Sequence, residues 1–270
     1  MTGETHRFTV GKFLCVVICD ADQTRDGVSL FASTPAETVN SGMQRLGYQP
    51  EILKFSINIL YIRTPERSIL VDSGLGVGKS QLTESLLLSG IELNRIDDVI
   101  LTHGHGDHIG GLTGADGQLI FPRARYHMWK AEWDYWMEQA DQISDPEHPV
   151  RKNLPAIKDR VQLIETESEF LPGIHAIHAP GHTAGHMVIR IESGGEQFLH
   201  LVDAIHHPSQ ITYPEWSPQF DQQPVLSAET RKRLIEMAER EQIAVMAYHF
   251  PFPGMGHVIR DGDELKWHPI

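Results

Sequence analysis

The segment Thr102-His103-Gly104-His105-Gly106-Asp107-His108-Ile109-Gly110-Gly111 sets three histidines and an aspartate within six residues. Imidazole and carboxylate are the ligand types that suit zinc and related divalent ions. In an extended segment residues i and i+2 point the same way, so His103 and His105 are spaced to grip one ion. A sharp turn permitted by Gly104 and Gly106 lets Asp107 and His108 reach a second. A structural role gains nothing from four such side chains, which would repel one another when protonated.

Three later segments supply further ligands. His178-Ala179-Pro180-Gly181-His182-Thr183-Ala184-Gly185-His186 offers His182, Leu199-His200-Leu201-Val202-Asp203 ends in a carboxylate, and Ala247-Tyr248-His249-Phe250-Pro251-Phe252-Pro253-Gly254 offers His249. These seven ligands are enough for two ions of roughly four or five bonds each once a water bridges them. Such a centre lowers the pKa of water toward about 7 and yields hydroxide for hydrolysis. Two divalent ions, two aspartates and one hydroxide leave a charge of about +1, which favours negative charge developing in a transition state. A serine-nucleophile motif of the GxSxG type is absent.

The surrounding elements explain how the ligands are presented. Phe8–Asp20, Ile52–Arg63 and Ser68–Val71 read as strands. Gln81–Leu88 reads as a helix stopped by Ser89-Gly90, and Val99-Ile100-Leu101 as a buried strand running into the histidine segment. Lys130–Gln139 is a further predicted helix. Asp141–Pro155, with three prolines, is expected to be an exposed loop or lid. The second half repeats the scheme with strands at Val161–Ile164, Gly173–His178, Met187–Ile191 and Gln197–Leu201. Ser227 is placed to cap a helix through Glu239, followed by the apolar run Ile243–Ala247. The tail reads as a hairpin around Asp261-Gly262. The expectation is one domain over 1–270 with two α/β halves, the break falling near 141–160.

Composition bounds the partners. The 270 residues are 40% hydrophobic and 22% charged, an ordinary globular balance, and the net charge is −13. So acidic a chain has no footprint for phosphate backbones, which argues against nucleic acid. No signal peptide or run of about 18 apolar residues is apparent. Cys15 and Cys19 lie in one predicted strand, about 13 Å apart, too far for a disulfide. The expectations are buried thiols, a cytoplasmic protein off the membrane, a small-molecule substrate and a homodimer.

HxHxDH, then GHTxGH, then an aspartate and a final histidine resembles the metallo-β-lactamase superfamily. The resemblance implies an αβ/βα sandwich of four layers with the metals at one edge between two mixed sheets. It also implies two divalent ions, zinc first and manganese, cobalt or iron otherwise. His103, His105 and His182 would hold one ion and Asp107, His108 and His249 the other, with Asp203 bridging. The stretches Ala131–Trp136, Pro214–Asp221 and His249–His257 are similar to methyl parathion hydrolase-like and quorum-quenching lactonase-like members. Two departures stand out: Val202 precedes the bridging aspartate where glycine is common, and His206 stands where typical acyl-homoserine lactonases carry tyrosine.

Further candidates surround this centre. Asp72, in Val71-Asp72-Ser73-Gly74, is expected to orient a ligand histidine from behind, as is His186 to support the site. Trp129, Trp133 and Trp136 share a helix face by spacing, and Trp136, His206 and Phe250 are expected to touch substrate. Asp107 and Asp203 are the expected catalytic carboxylates, Asp107 relaying a proton to the leaving group. The expected activity is hydrolysis of small neutral esters, lactones or aryl esters, by a metal-bridging hydroxide. The alternatives are a phosphotriesterase of the methyl parathion hydrolase type and a glyoxalase II-like thioesterase. The expected pocket wall is the Trp133–Trp136 helix, the 141–155 loop, Phe250 and Phe252, with no cluster of lysine or arginine. Anionic substrates are therefore expected to be poor.

Overall fold

In the run Phe13–Cys19 successive side chains face opposite sides of the strand, and both sides are covered. Val16 and Ile18 enter one apolar cluster while Cys15 and Val17 enter another. A strand buried on both faces reads as a continuous apolar run rather than an alternation. The same holds for Leu53–Arg63, where Ile57, Ile59 and Tyr61 face one way and Leu60 and Ile62 the other. The computed structural model, which describes residues 3–270, resolves this burial into two sheets packed face to face.

The first sheet has seven strands in chain order: β1 (Thr5–Val10), β2 (Phe13–Arg25), β3 (Leu53–Arg63), β4 (Ser68–Val71), β5 (Asp98–Leu101), β6 (Arg125–Trp129) and β7 (Val161–Ile164). The second, also of seven, runs from β8 (Ser168–Leu171) through β9 (Ile174–His178), β10 (Met187–Ser193), β11 (Glu196–His200), β12 (Ala244–Met246) and β13 (Met255–Asp261) to β14 (Glu264–Pro269). Pairs β4–β5, β5–β6, β6–β7 and β11–β12 are parallel and the others antiparallel. The α-helices are α1 (Gly27–Leu30), α2 (Ala36–Arg45), α3 (Leu82–Leu88), α4 (Gly106–Ile109), α5 (Lys130–Ala140), α6 (Pro149–Ile157), α7 (Ser209–Thr212) and α8 (Pro224–Glu241).

The inter-sheet core joins Val17, Leu60, Val71 and Ile100 from the first sheet to Ile174, Ile189, Phe198 and Met246 from the second. Residues of α3 and α6, such as Leu86 and Leu154, cover the outer face of the first sheet. Leu234, Ile235 and Ala238 of α8 cover that of the second. The result is the four-layer αβ/βα sandwich. Among the described residues no helix is long and apolar enough to cross a membrane.

Several expectations need correction. Phe8–Asp20 is not one strand, because Gly11 turns the chain at φ 54 and β1 folds back on β2. The sheets change between Ile164 and Ser168, later than 141–160, because α6 and β7 still complete the first sheet. The 141–155 segment is not all lid: its prolines include Pro149 in the first turn of α6, where a missing N–H costs nothing, and Val150 and Leu154 are core. Ser227 does not cap α8. The helix starts at Pro224, and the Ser227 hydroxyl meets Arg231 one turn on. Trp129 ends β6 rather than joining α5, and stacks on His178 at 4.5 Å.

Candidate metal centre

Every ligand candidate, and Asp72 behind them, follows the carboxyl end of a strand. Asp72 follows β4, the His103–His108 segment follows β5, His182 follows β9, Asp203 follows β11 and His249 follows β12. Binding sites of open α/β sheets form at such ends. The inter-sheet packing brings the two sets of ends to one edge. His105 Nδ1 lies 3.1 Å from His103 Nε2 and 3.0 Å from His182 Nε2. One ring nitrogen cannot satisfy two neighbours through a single ordinary hydrogen bond, whereas one cation satisfies all three. With Zn–N bonds of about 2.0–2.1 Å, the edges of a tetrahedral site are roughly 3.4 Å long, close to the spacing seen.

The Asp203 carboxylate sits at the middle. Its Oδ2 is 3.4 Å from His182 Nε2, 3.2 Å from His249 Nε2 and 3.8 Å from His103 Nε2, and its Oδ1 is 3.4 Å from His108 Nε2. His249 Nε2 is also 3.5 Å from Asp107 Oδ2. The ligand atoms of His103, His105, His182 and Asp203 lie within 4.8 Å of one another, and so do those of Asp107, His108 and His249. His108 Nε2 and Asp203 Oδ1 are buried with no hydrogen-bond partner. Orphaned buried acceptors are costly, and a pair of divalent ions would complete both. The donor set therefore fits divalent metal ions.

Outer partners fix the rings. Asp72, in the left-handed region at φ 64, accepts from the Thr102 amide and hydroxyl at 2.8 Å each and meets His108 Nδ1 at 2.8 Å. His182 Nδ1 is 2.9 Å from Asp221 Oδ1, and Asp221 Oδ2 accepts from the buried Arg231 at 3.0 Å. His249 Nδ1 is 3.0 Å from the Ser56 carbonyl. His186 bridges the Ala179 carbonyl and the Asp203 amide through its two ring nitrogens. Such contacts hold the tautomer and the ring plane.

The charges follow from burial and neighbours. Burial pushes His103 well below its ordinary value and His105 down to about 3, helped by adjacent imidazoles. His108 is also opposed by burial, but Asp203, Asp72 and Asp107 outweigh it and hold the ring well above its ordinary value. Burial alone would raise Asp203, yet His249, His108 and His206 keep it well below the carboxylate range. His103 and His105 are thus neutral and Asp203 ionised, the protonation states that bind metal, whereas His108, held as a cation by three carboxylates, has a proton to release when an ion takes its place.

Sequence reasoning missed Glu132. This buried carboxylate on α5 accepts from the Gly104 amide at 2.9 Å and Trp136 Nε1 at 2.6 Å through Oε1. Its Oε2 accepts from the Thr183 hydroxyl and the Gly185 amide, both at 2.8 Å. It ties the two histidine loops together. Both loops carry glycine there because a Cβ on Gly104 would fall 2.3 Å from the Trp136 ring, and one on Gly185 2.3 Å from the Glu132 amide. Gly104 thus serves close approach rather than a turn; the chain turns through α4. Asp221 and Arg231 were missed as well. A buried acid on the tryptophan-bearing helix, and Arg231 spaced one turn from Ser227, were the only local signals.

The expected pocket wall is met at Pro149 of the 141–155 segment and differs elsewhere. A cavity of about 470 Å³ opens on His105, Asp107, His182, Asp203, His206 and His249. Its apolar wall is Phe55, Ile57, Leu75, Phe220 and Pro149. Phe250 is not in it: its ring is buried edge-on against Trp267 at 4.9 Å, in the core under α8. Trp136 is not in it either, since its ring packs on Gly104 and its N–H is committed to Glu132. His206 does line the cavity, buried, with both ring nitrogens lacking hydrogen-bond partners. Arg25 and Lys79 also border it, against the expectation of no cluster of lysine or arginine.

Residues 53–249 match the model of the Metallo-beta-lactamase superfamily. The lactamase-like protein ptaB of Pestalotiopsis fici is 29% identical over 189 residues, covering 67% of this chain and 51% of ptaB. The chain thus spans about half the length of that relative. An N-acyl homoserine lactonase from a Bacillus species is 26% identical over 226 residues, covering 74% of this chain and 83% of the lactonase. Among solved structures, AidC, a dizinc quorum-quenching lactonase, superposes with a TM-score of 0.89 at 23% identity, covering 99% of this chain and 98% of AidC. That likeness is one of fold.

Proposed function

The chain belongs to the metallo-beta-lactamase superfamily, and we propose that it is a metal-dependent hydrolase of small esters, acting on lactones or aryl esters with two divalent ions, zinc first. The observation that carries the proposal is the Asp203 carboxylate, placed between two groups of ligand atoms and left with a buried unpartnered oxygen. The lactonases among its relatives and structural neighbours support the same reading.

His103, His105 and His182 would hold one ion, Asp107, His108 and His249 the other, and Asp203 both. When bound, the ions supply Lewis-acid polarisation of an ester oxygen and lower the pKa of water toward about 7. Asp72 and Asp221 keep Nε2 of His108 and His182 turned toward the centre by engaging Nδ1. Asp107 faces the cavity with its side chain 29% exposed. Burial would raise its carboxyl, but His108 and His249 hold it below the usual value. An ionised carboxylate there accepts a proton at its Oδ atoms and can return it to a leaving oxygen. Phe55, Ile57, Leu75 and Phe220 take the apolar part of the substrate and exclude water beside it, at roughly 25 cal/mol per Å² of apolar surface covered.

The test is a panel of lactones, aryl esters, phosphotriesters and thioesters assayed on protein of known metal content. Esters and lactones are expected to be turned over best. Protein loaded with two ions that hydrolyses none of them, or that prefers a thioester throughout, would overturn the proposal.

A further inference from the structure

The cavity is not neutral. Gln23 and Arg25 lie two apart on β2, on one face, and Gln23 pairs across the sheet with Phe55. The Arg25 guanidinium stands 5.5 Å above the Phe55 ring, a cation–π contact that holds it at the cavity wall. Lys79 approaches from the loop that follows β4. That loop is pinned by the buried Asp20, which accepts from the Leu75 amide at 3.1 Å, the Ser80 hydroxyl at 2.5 Å, and the Gln81 and Leu82 amides at 2.8 Å each. The contacts fall on both sides of Lys79, so its backbone is fixed in position.

Among the described residues, neither Arg25 nor Lys79 forms an ion pair, although this chain carries 36 acids against 23 bases. Some basic side chains elsewhere meet carboxylates, as Arg45 meets Glu264 and Arg190 meets Glu192, and others such as Lys54 and Arg63 form no ion pair among the described residues; what sets Arg25 and Lys79 apart is their place at the cavity. Two cations outside any ion pair border the same cavity as the ligand cluster, together with an apolar strip of Phe55, Ile57 and Leu75; the Phe55 ring lies under Arg25 and stacks on His249 at 4.1 Å.

We infer that the substrate is an ester whose far end carries an anion, a carboxylate or a phosphate, bound by Arg25 and Lys79 while the ester lies at the ligand cluster. This deepens the proposed hydrolase function and rests on it. The apolar strip receives the chain between the two ends, and Gln23 adds a donor beside Arg25. The Arg25 guanidinium presents a planar fork suited to carboxylate and phosphate alike. Both cations are exposed, so salt screens them. Exposed ion pairs are individually weak, so two acting on one anion give roughly a three- to tenfold preference.

The experiment compares para-nitrophenyl half-esters of the dicarboxylic acids from succinic to suberic with their neutral methyl esters, on metal-loaded enzyme. A matching set with a terminal phosphate separates the two kinds of anion. The expected result is a roughly three- to tenfold higher kcat/KM for the acid than for its methyl ester at the best chain length. That preference should shrink as salt is raised and collapse toward one in Arg25→Met/Lys79→Met. A larger preference in the phosphate set would identify phosphate as the natural end group, and a larger one in the acid set carboxylate. Methyl esters favoured at every chain length, or a preference that survives in the double variant, would overturn the inference while leaving the hydrolase standing. Failure to hydrolyse any ester, charged or neutral, would instead remove the hydrolase reading and this inference with it.

Discussion

Asp203 takes its place between the ligand histidines because Val202, the residue before it, holds the left-handed backbone conformation at φ 49. Glycine adopts that conformation freely, whereas a β-branched residue is strained in it. Val202 is nonetheless fully buried in the cluster with Leu101, Ile109 and Tyr248. The valine that departs from the common glycine thus keeps the geometry glycine would supply and adds core packing.

Substitution at Val202 separates these two effects. Val202→Ala loses burial and keeps the strain; Val202→Gly loses slightly more burial and relieves the strain, worth about 1–2 kcal/mol. The glycine variant should therefore be more stable than the alanine variant by about 1 kcal/mol. Urea denaturation of both checks the order, and an alanine variant equal or superior in stability would show that the backbone there is unstrained.

Glu132 should be the most sensitive position that touches no ligand atom. Glu132→Ala leaves three buried donors and the part-buried Trp136 N–H without an acceptor, a loss of about 3–5 kcal/mol. Glu132→Gln keeps one acceptor oxygen and should lose about half as much. Because the carboxylate ties the Gly104 and Gly185 loops together, ion retention after dialysis should fall in the same order. Full retention in a folded Glu132→Ala protein would mean that the loops hold their registry without it.

Two ions per chain are expected by elemental analysis of protein loaded with zinc, and Asp203→Asn should lower occupancy and turnover together. A carboxylate offsets the repulsion between two cations, which a neutral amide does not. One ion in the wild-type protein, or full occupancy in the variant, would place the bridge elsewhere.

Acid should expose the His182–Asp221–Arg231 chain. Burial alone would raise Asp221, but His182 and Arg231 lower it from 3.8 to about 2. A depressed folded-state value contributes stability that is complete above the unfolded value. It is lost as pH falls from about 4 toward about 2, in all about 2 kcal/mol. Metal-free Asp221→Asn protein should be less stable at neutral pH and show a shallower loss over that window. An unchanged acid slope in denaturant titrations would count against the pairing.

Cys15 and Cys19 should be inert in the native state. Burial pushes both thiols up to about 12, with Asp22 adding to the effect at Cys19. The thiolate is the reactive form, so labelling by a thiol reagent at mildly alkaline pH should report unfolding only. Rapid stoichiometric labelling of folded protein would contradict this.

The cluster of candidate ligands was legible because each member lies shortly after the end of a strand. There the local pattern itself records the chemistry: His103 and His105 two apart, then a turn, then His108. The strands were legible for the related reason that burial on both faces writes an unbroken apolar run, as in Val99-Ile100-Leu101. The hairpin at Gly11 and the first turn of α6 escaped because composition there favoured a longer strand and a loop, and only tertiary contacts decide between them. Glu132, Asp221 with Arg231, and the cavity wall were not legible at all. Each acts across elements far apart in the chain: α5 on the β5 and β9 loops, α8 on the β9 loop, and the ends of β2 and β3 beside the loop after β4. Local spacing fixes what a loop can ligate. Which carboxylate holds that loop, and whether phenylalanine, arginine or tryptophan faces the cavity, is set when the two sheets pack and bring their strand ends to one edge.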